Sequence, residues 1–168
     1  MAILRVALLG VLVVTLLAGC GESSAFPDPA PCPSPVPPSP IGRRDSQLGL
    51  YRPALTQGVQ RIEALRADFR SRWPLERPSN KQEFRTEFAA FSDQLVCVAS
   101  SLRDLPPPSA SLVEFDTIIE RALGDVIDSM AEGREAVRQR NVTKYKEWNS
   151  SVDGKIAVVS RTLTLLPR

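Results

Sequence analysis

The sequence predicts an all-α protein in which a proline-rich tether precedes an antiparallel, up-down four-helix bundle. Apolar residues recur at steps of three and four through most of residues 46–166, the spacing of one buried stripe on an α-helix. Prolines or a turn-forming asparagine interrupt this pattern at three places, and the short connections make neighbouring helices antiparallel. No stretch has the strict apolar–polar alternation of a half-buried strand. The near-heptad spacing indicates left-handed packing of helices about 36 Å long.

The first predicted helix runs from about Ser46 to Trp73, where the following Pro74 ends it. Pro53 falls within this range. The stable helix therefore begins near Pro53, where a missing amide is harmless, or the helix is kinked there. The apolar stripe consists of Leu48, Tyr51, Leu55, Val59, Ile62, Leu65, Phe69 and Trp73.

The second predicted helix runs from about Asn80 to Asp104. Ser79 is its expected N-cap, with Gln82 as the returning partner of a capping box. The prolines at 106–108 stop it. Its stripe follows alternating steps of four and three without a miss: Phe84, Phe88, Phe91, Leu95, Val98, Leu102 and Leu105.

The third predicted helix starts near Ser109 or Ser111 and runs to about Arg140. Its stripe consists of Leu112, Phe115, Ile119, Ala122, Val126, Met130, Gly133 and Val137. Ile118, Leu123 and Ile127 widen this stripe, so we expect the third helix to be the most buried of the four.

The fourth predicted helix begins at Asn141, a residue that favours both N-caps and turns. One long bent helix through Asn141 is the alternative, but that helix would exceed the usual length, which favours a break. The stripe consists of Val142, Tyr145, Asn149, Val152, Ile156, Val159, Leu163 and Leu166. Asn149 interrupts its apolar character. It is either a buried residue that sets helix register, a partly exposed residue, or the polar end of a pocket.

The first 20 residues have the order of an export signal. A positive charge at Arg5 is followed by the apolar run 6–17, which is shorter than the about 20 residues of a membrane span. The run closes on Leu17-Ala18-Gly19-Cys20. This stretch resembles the lipobox of bacterial lipoprotein precursors. The alternatives are an ordinary signal peptide with a chance cysteine at the cut, or an uncleaved helix.

The lipobox resemblance implies an anchor and a location. In that family a diacylglyceryl group is added to the cysteine thiol and a peptidase cuts before it, so Cys20 would be the lipidated first residue. Fatty acyl chains such as palmitate then hold the protein on a membrane of the bacterial cell envelope, facing the extracytoplasmic side. The chain divides into a signal peptide over 1–19, a lipidated cysteine and proline-rich linker over 20–44, and a bundle domain over 45–168.

The linker is rich in proline from Phe26 to Pro40. Proline lacks an amide donor and disfavours α-helix at the residue before it, so the tract is expected to form extended polyproline II. The 24 residues 21–44 would reach about 70 Å as a semi-rigid spacer. The segment 35–38 also fits a PxxP frame, so a docking site for a protein partner is the alternative.

Lipidation of Cys20 leaves Cys32 and Cys97, an even number in an exported protein. Cys97 lies off the stripe of the second helix and is expected to face outward. Cys32 stands in the middle of the tether, so a Cys32–Cys97 disulfide would attach the tether to the bundle. An intermolecular bridge through Cys97 and a reduced pair are the alternatives.

Composition excludes several kinds of chemistry. The chain has 21 basic and 19 acidic side chains, so no basic excess points to a nucleic-acid partner. It has no histidine, which excludes Ser-His-Asp and Cys-His catalysis, the Glu-x-x-His motif of di-iron bundles and haem attachment through Cys-x-x-Cys-His. We therefore expect no catalytic residue, no cofactor and no metal site.

Charged residues on two helices admit both a binding and a surface interpretation. Asp125 with Asp128, and Asp128 with Glu132, have a spacing that would suit a hard cation. They belong to a cluster of acidic residues on the third helix: Glu114, Asp116, Glu120, Asp125, Asp128, Glu132 and Glu135. Arg121, Arg134 and Arg138 are interleaved with them, which favours a salt-bridged surface. Basic residues on and after the first helix could bind an anionic headgroup, but alternating acidic residues again favour a surface: Arg61, Arg66, Arg70, Arg72 and Arg77.

Aromatic residues could line an apolar ligand pocket between helices, namely the three phenylalanines of the second helix together with Trp73 and Trp148. A bundle core needs the same stripe, which favours the core interpretation. Asn141-Val142-Thr143 fits a glycan acceptor pattern, but we interpret Asn141 as a helix cap.

Two classes of function follow. The first is a membrane-tethered, non-enzymatic module of the envelope that binds a protein partner or an apolar ligand. The second is a small envelope enzyme that uses carboxylate or lysine chemistry without histidine. A buried carboxylate pair in a cavity would favour the enzyme.

Overall fold

The computed structural model describes residues 26–32, 44–74, 81–107 and 109–166. Four α-helices follow one another in the chain: α1 (Arg44–Arg72), α2 (Gln82–Arg103), α3 (Val113–Arg138) and α4 (Val142–Leu163). A 3₁₀ turn, Ala110–Leu112, leads into α3. The described residues contain no strand, so the predicted all-α class is confirmed.

Contacts between helices show an antiparallel arrangement. Phe69 near the end of α1 packs on Phe84 near the start of α2, and Trp148 near the start of α4 packs on Gly133 near the end of α3. Because α1 also contacts α4, the four helices close around one core. We call the end where α1 and α3 finish and α2 and α4 begin the proximal end, and the opposite end the distal end.

The helix boundaries differ from the predictions at α1 and α2. Helix α1 begins at Arg44 and passes through Pro53 without ending, so of the two alternatives stated above, a start near Pro53 is wrong. The N-cap of α2 is Lys81, which makes no side-chain capping bond, so the predicted Ser79–Gln82 capping box is wrong. Ser79 itself lies outside the described residues.

Asn141 separates α3 from α4, as predicted. Its side-chain oxygen accepts a hydrogen bond from the backbone N–H of Lys144 at 3.0 Å, which is the N-cap interaction of a new helix. The chain after Pro106 therefore forms two α-helices and not one long bent helix.

The core follows the predicted stripes through most of their length. Every member of the α3 stripe is buried. At the proximal half, seven aromatic side chains form one cluster with neighbouring ring centroids 4.5–6.1 Å apart: Phe69, Trp73, Phe84, Phe88, Phe91, Tyr145 and Trp148. Close-packed aromatic pairs add to the burial of their apolar area.

The stripe prediction is wrong at several single positions. Ile118 is 44 % exposed, although it was expected to widen the α3 stripe. Val142 is exposed at the start of α4. Trp148 is buried and takes the core position that the pattern assigned to Asn149, which is half-buried. On α2, Ala99 is fully buried and Val98 is half-buried.

Trp148 enters the core because α3 has a glycine opposite it. A Cβ atom placed on Gly133 would lie 2.6 Å from the Trp148 ring, well inside contact distance. The missing side chain on α3 therefore makes the space for the indole ring on α4. Gly58 of α1 stands in the same relation to Leu102 of α2, where an added Cβ would lie 2.4 Å from the leucine side chain.

Candidate functional site

The proline-rich residues 26–32 lie on the surface of the bundle along α2. The ring of Phe26 packs between two guanidinium groups, 5.7 Å from that of Arg85 on α2 and 5.3 Å from that of Arg134 on α3. These are cation–π contacts, and Phe26 is partly buried against the core. This part of the tether is therefore attached to the domain and does not hold it off as a free spacer.

Arg134 connects the tether with two helices. Its Nη2 donates to the carbonyl of Pro27 at 2.8 Å, and its Nη1 donates to Asp93 Oδ1 at 2.6 Å and to the carbonyl of Ala89 at 3.2 Å. The other carboxylate oxygen of Asp93 accepts the N–H of Ala30 at 3.2 Å. The two charged side chains are only 12 % and 17 % exposed, so each depends on the other for its pairing.

A disulfide between Cys32 and Cys97 closes this docked segment, with Cα atoms 5.2 Å apart. The sequence left three arrangements of these cysteines open, and the structure has the intramolecular one. Phe26 contacts Arg85, and Cys97 lies twelve positions after Arg85 along α2. This separation corresponds to a rise of about 18 Å. Six polyproline II steps from Phe26 to Cys32 cover about 19 Å, so an extended segment fits α2 in length.

The direction of the segment is set by these contacts. Phe26 lies at the proximal end beside Arg85 and Arg134, and Cys32 lies further toward the distal end at Cys97. The described segment therefore begins at the proximal end of the bundle. Cys20 and the PxxP segment 35–38 lie outside the described residues.

Arg66 forms a second buried polar cluster, between α1 and α4. Its Nε donates to Asp153 Oδ1 at 2.7 Å and its Nη2 donates to Asn149 Oδ1 at 2.8 Å. The guanidinium also lies over the Trp148 ring at 5.2 Å. The prediction that Arg66 belongs to an ordinary charged surface is wrong, because its side chain is 5 % exposed. Asn149 serves as its acceptor.

The other described residues of the predicted charged clusters lie on the surface, apart from the buried Asp116 and the partly buried Arg134, and Arg77 lies outside the described residues. Arg138 pairs with Glu135 three residues before it, as predicted, and the pKa of Glu135 falls below its usual value chiefly because Arg138 donates to it. Lys155 of α4 approaches Glu132. No group of three or more possible metal ligands occurs in the described part of the chain.

Asp116 is the buried acidic side chain of the described residues. It accepts a hydrogen bond from the Tyr51 hydroxyl at 2.6 Å, across the diagonal of the bundle. Burial, and then this bond, raises the pKa of Tyr51 well above its usual value. The hydrogen-bond partner of Asp116 is thus a phenol, and not the second carboxylate that a carboxylate-based enzyme would use.

Both tyrosines of the chain are expected to resist ionisation in the native protein. Burial raises the pKa of Tyr145 to about 12, and the pKa of Tyr51 is raised as well. The unfolded chain loses these protons near pH 10 and the native one does not, so the free energy of unfolding should fall as pH rises above about 10. An alkaline titration of phenolate absorbance measures this. Ionisation of native tyrosines near pH 10 would contradict it, and Tyr51→Phe should leave one step near pH 12.

Three open grooves lie between neighbouring helices, with volumes of about 350, 510 and 490 Å³. Side chains of both charge signs line each one. The three phenylalanines of α2 are buried in the core cluster. Phe91 also borders the groove of about 350 Å³, and Trp148 borders the groove of about 510 Å³. None of the described helices is both long enough and apolar enough to span a membrane.

No family model, curated protein or solved structure matches this chain.

The sequence analysis missed the residues that hold the tether, apart from the two cysteines. Phe26 is the aromatic residue of the proline-rich tract, and this was the signal that could have indicated docking. Asp93 and Arg134 gave no such signal, because a charged residue on a helix fits the same sequence pattern whether it contacts solvent or another helix.

Proposed function

We propose that the protein is a lipid-anchored lipoprotein of the bacterial cell envelope, facing the extracytoplasmic side, whose helical bundle is a non-enzymatic interaction module. The observation that carries the proposal is Leu17-Ala18-Gly19-Cys20 after a short apolar run. The Cys32–Cys97 disulfide supports an exported protein, since disulfides persist in oxidising compartments.

The distal end of the bundle supports an interaction with a protein partner. Three large aliphatic side chains at that end are strongly exposed, Leu50 by 61 %, Val113 by 51 % and Leu165 by 64 %. They come from the start of α1, the start of α3 and the residues just after α4. Apolar side chains gathered at one end of a small domain are typical of a surface that another protein covers.

The anchor is tested by Cys20→Ser in a bacterial host supplied with a labelled palmitate analogue. The wild-type protein should take up the label and partition into detergent, because the thiol of Cys20 is the acylation site. The Cys20→Ser variant should lose both properties, and Cys32→Ser, the matched control, should keep them. An unlabelled, water-soluble wild-type product would show that the lipoprotein proposal is wrong.

The interaction module is tested in the same cells by a photoreactive residue at Val113. It should give a discrete adduct that disappears when Leu165→Glu places a charge at the distal end. The same probe at Ala131, exposed on α3 toward the proximal end, is the control. Identical adducts from both positions would contradict a partner at the distal end.

A further inference from the structure

The docked tether determines which end of the bundle is close to the anchor. Phe26, the first residue of the described segment, lies at the proximal end, and only five residues stand between it and Cys20 in the sequence. The six steps from Cys20 to Phe26 span about 20 Å at most, even when fully extended. If Cys20 carries a lipid, as proposed above, the proximal end stands close to the membrane surface.

The proximal end carries an excess of positive charge. Four exposed basic side chains, which we call the basic tip, surround the start of α2 and the α3–α4 turn: Lys81, Arg138, Arg140 and Lys144. Acidic side chains also lie at this end: Glu83 in the first turn of α2, Glu135, which pairs with Arg138, and Glu132 and Glu147, which line one groove with Lys144. Lys146 of α4 adds a further exposed positive charge. The first turn of α4 contains no acidic residue.

Arg140 keeps its position in the basic tip at a conformational cost. Its φ is 53°, in the left-handed region. Helix α3 ends in a Schellman motif there, since Arg140 N–H donates to the carbonyl of Val137 at 3.1 Å and Asn141 N–H donates to that of Ala136 at 2.9 Å. Glycine is the usual residue at this position because a Cβ atom is disfavoured in this conformation.

The distal end has a different character. The first turn of α3 at that end contains the acidic residues Glu114 and Asp116, and the exposed aliphatic side chains described above surround it. One end of the rod is therefore basic and close to Cys20 in the chain, and the other is apolar and far from it.

We propose that the basic tip rests on the membrane that holds the anchor and binds its anionic lipid headgroups, so that the bundle stands with its distal end directed away from the membrane. The short chain between Cys20 and Phe26 limits the distance of the bundle from the membrane, and the charges of the basic tip set the orientation of the bundle. Each cation near an anionic leaflet is expected to raise the partition onto it about fivefold. This inference adds orientation and a lipid preference to the proposed anchor.

The test is co-sedimentation of the mature chain carrying Cys20→Ser with lipid vesicles at low salt. Binding to phosphatidylcholine vesicles that contain phosphatidylglycerol should exceed binding to pure phosphatidylcholine, and should fall toward physiological salt as the screening length shortens to about 8 Å. Equal binding to both kinds of vesicle would overturn the proposal.

Two variants distinguish the contribution of the basic tip to vesicle binding from the effects of net charge and of folding. Arg140→Gly should weaken binding to anionic vesicles about fivefold, while it raises the melting temperature by roughly 3 °C because glycine suits the left-handed turn. Arg121→Gln removes the same charge from an exposed site on the side of α3 and should leave binding unchanged. An equal loss in both variants would show that the tip has no special role.

The vesicle assay and the palmitate assay fail independently. The chain in the vesicle assay has no acylation site, so its binding reports on the basic tip alone. Palmitate labelling without vesicle selectivity would leave the anchor proposal standing and overturn the basic tip. Vesicle selectivity without palmitate labelling would overturn the anchor proposal and leave the basic tip standing. The protein would then contact the membrane peripherally.

Discussion

Replacing Cys97 with serine is expected to lower the free energy of unfolding by about 4 kcal/mol. The bond joins residues 65 positions apart, so its loss returns to the unfolded chain the conformational freedom of a long loop. The segment 26–32 is then held by Phe26, Pro27 and Ala30 through their contacts with Arg85, Arg134 and Asp93. Chemical denaturation of the oxidised protein measures the loss.

The matched controls are Cys32→Ser and the double variant. Both should lose the same free energy as Cys97→Ser, because each removes the same single bond. Mass spectrometry of the wild-type protein without reductant should find Cys32 and Cys97 joined within one chain. Free thiols at both positions, or a disulfide-linked dimer, would contradict the arrangement in the structure.

Replacing Ile119 with alanine is expected to destabilise the fold by about 2–5 kcal/mol, through lost apolar burial and the cavity that remains. Ile119 is 1 % exposed inside the bundle, and its neighbour Ile118 is 44 % exposed on the same helix. Ile118→Ala makes the same chemical change one residue away and should cost well under half as much. Urea denaturation of both variants gives the comparison.

Equal losses at the two positions would show that the rotation of α3 about its axis is wrong. The pair is informative because the sequence assigned both isoleucines to the buried side. A marginal domain of this size has a free energy of unfolding of about 5–15 kcal/mol, so the larger loss at Ile119 should also be visible as a lowered melting temperature.

Helices and stripes could be predicted because they are local properties. The steps of three and four in α2, and the cap at Asn141, depend on residues within one or two helical turns. Pro53 was harder, because a proline inside a helix removes one hydrogen bond, and packing against the rest of the bundle decides whether the helix survives.

The cysteines could be predicted in part. An even count after Cys20, with Cys97 off the apolar stripe, made a Cys32–Cys97 bond one of three arrangements. Selecting that arrangement requires the segment 26–32 to lie along α2, and this depends on Phe26 fitting between Arg85 and Arg134. Arg134 also pairs with Asp93, 41 positions away, and donates to the carbonyl of Pro27, 107 positions away, so one arginine joins distant parts of the chain.

Four features follow from neighbours in the chain and could be predicted without the fold: the helical class, the buried stripes, the separation of α3 from α4 and the lipobox-like end at Cys20. Packing between helices was needed to place Trp148 rather than Asn149 in the core, to expose Ile118 to solvent and to pair Arg134 with Asp93 on another helix. The physical reason is that a helical pattern specifies a face only to within about one residue. The opposing surface, such as the space left by Gly133, selects which side chain is buried.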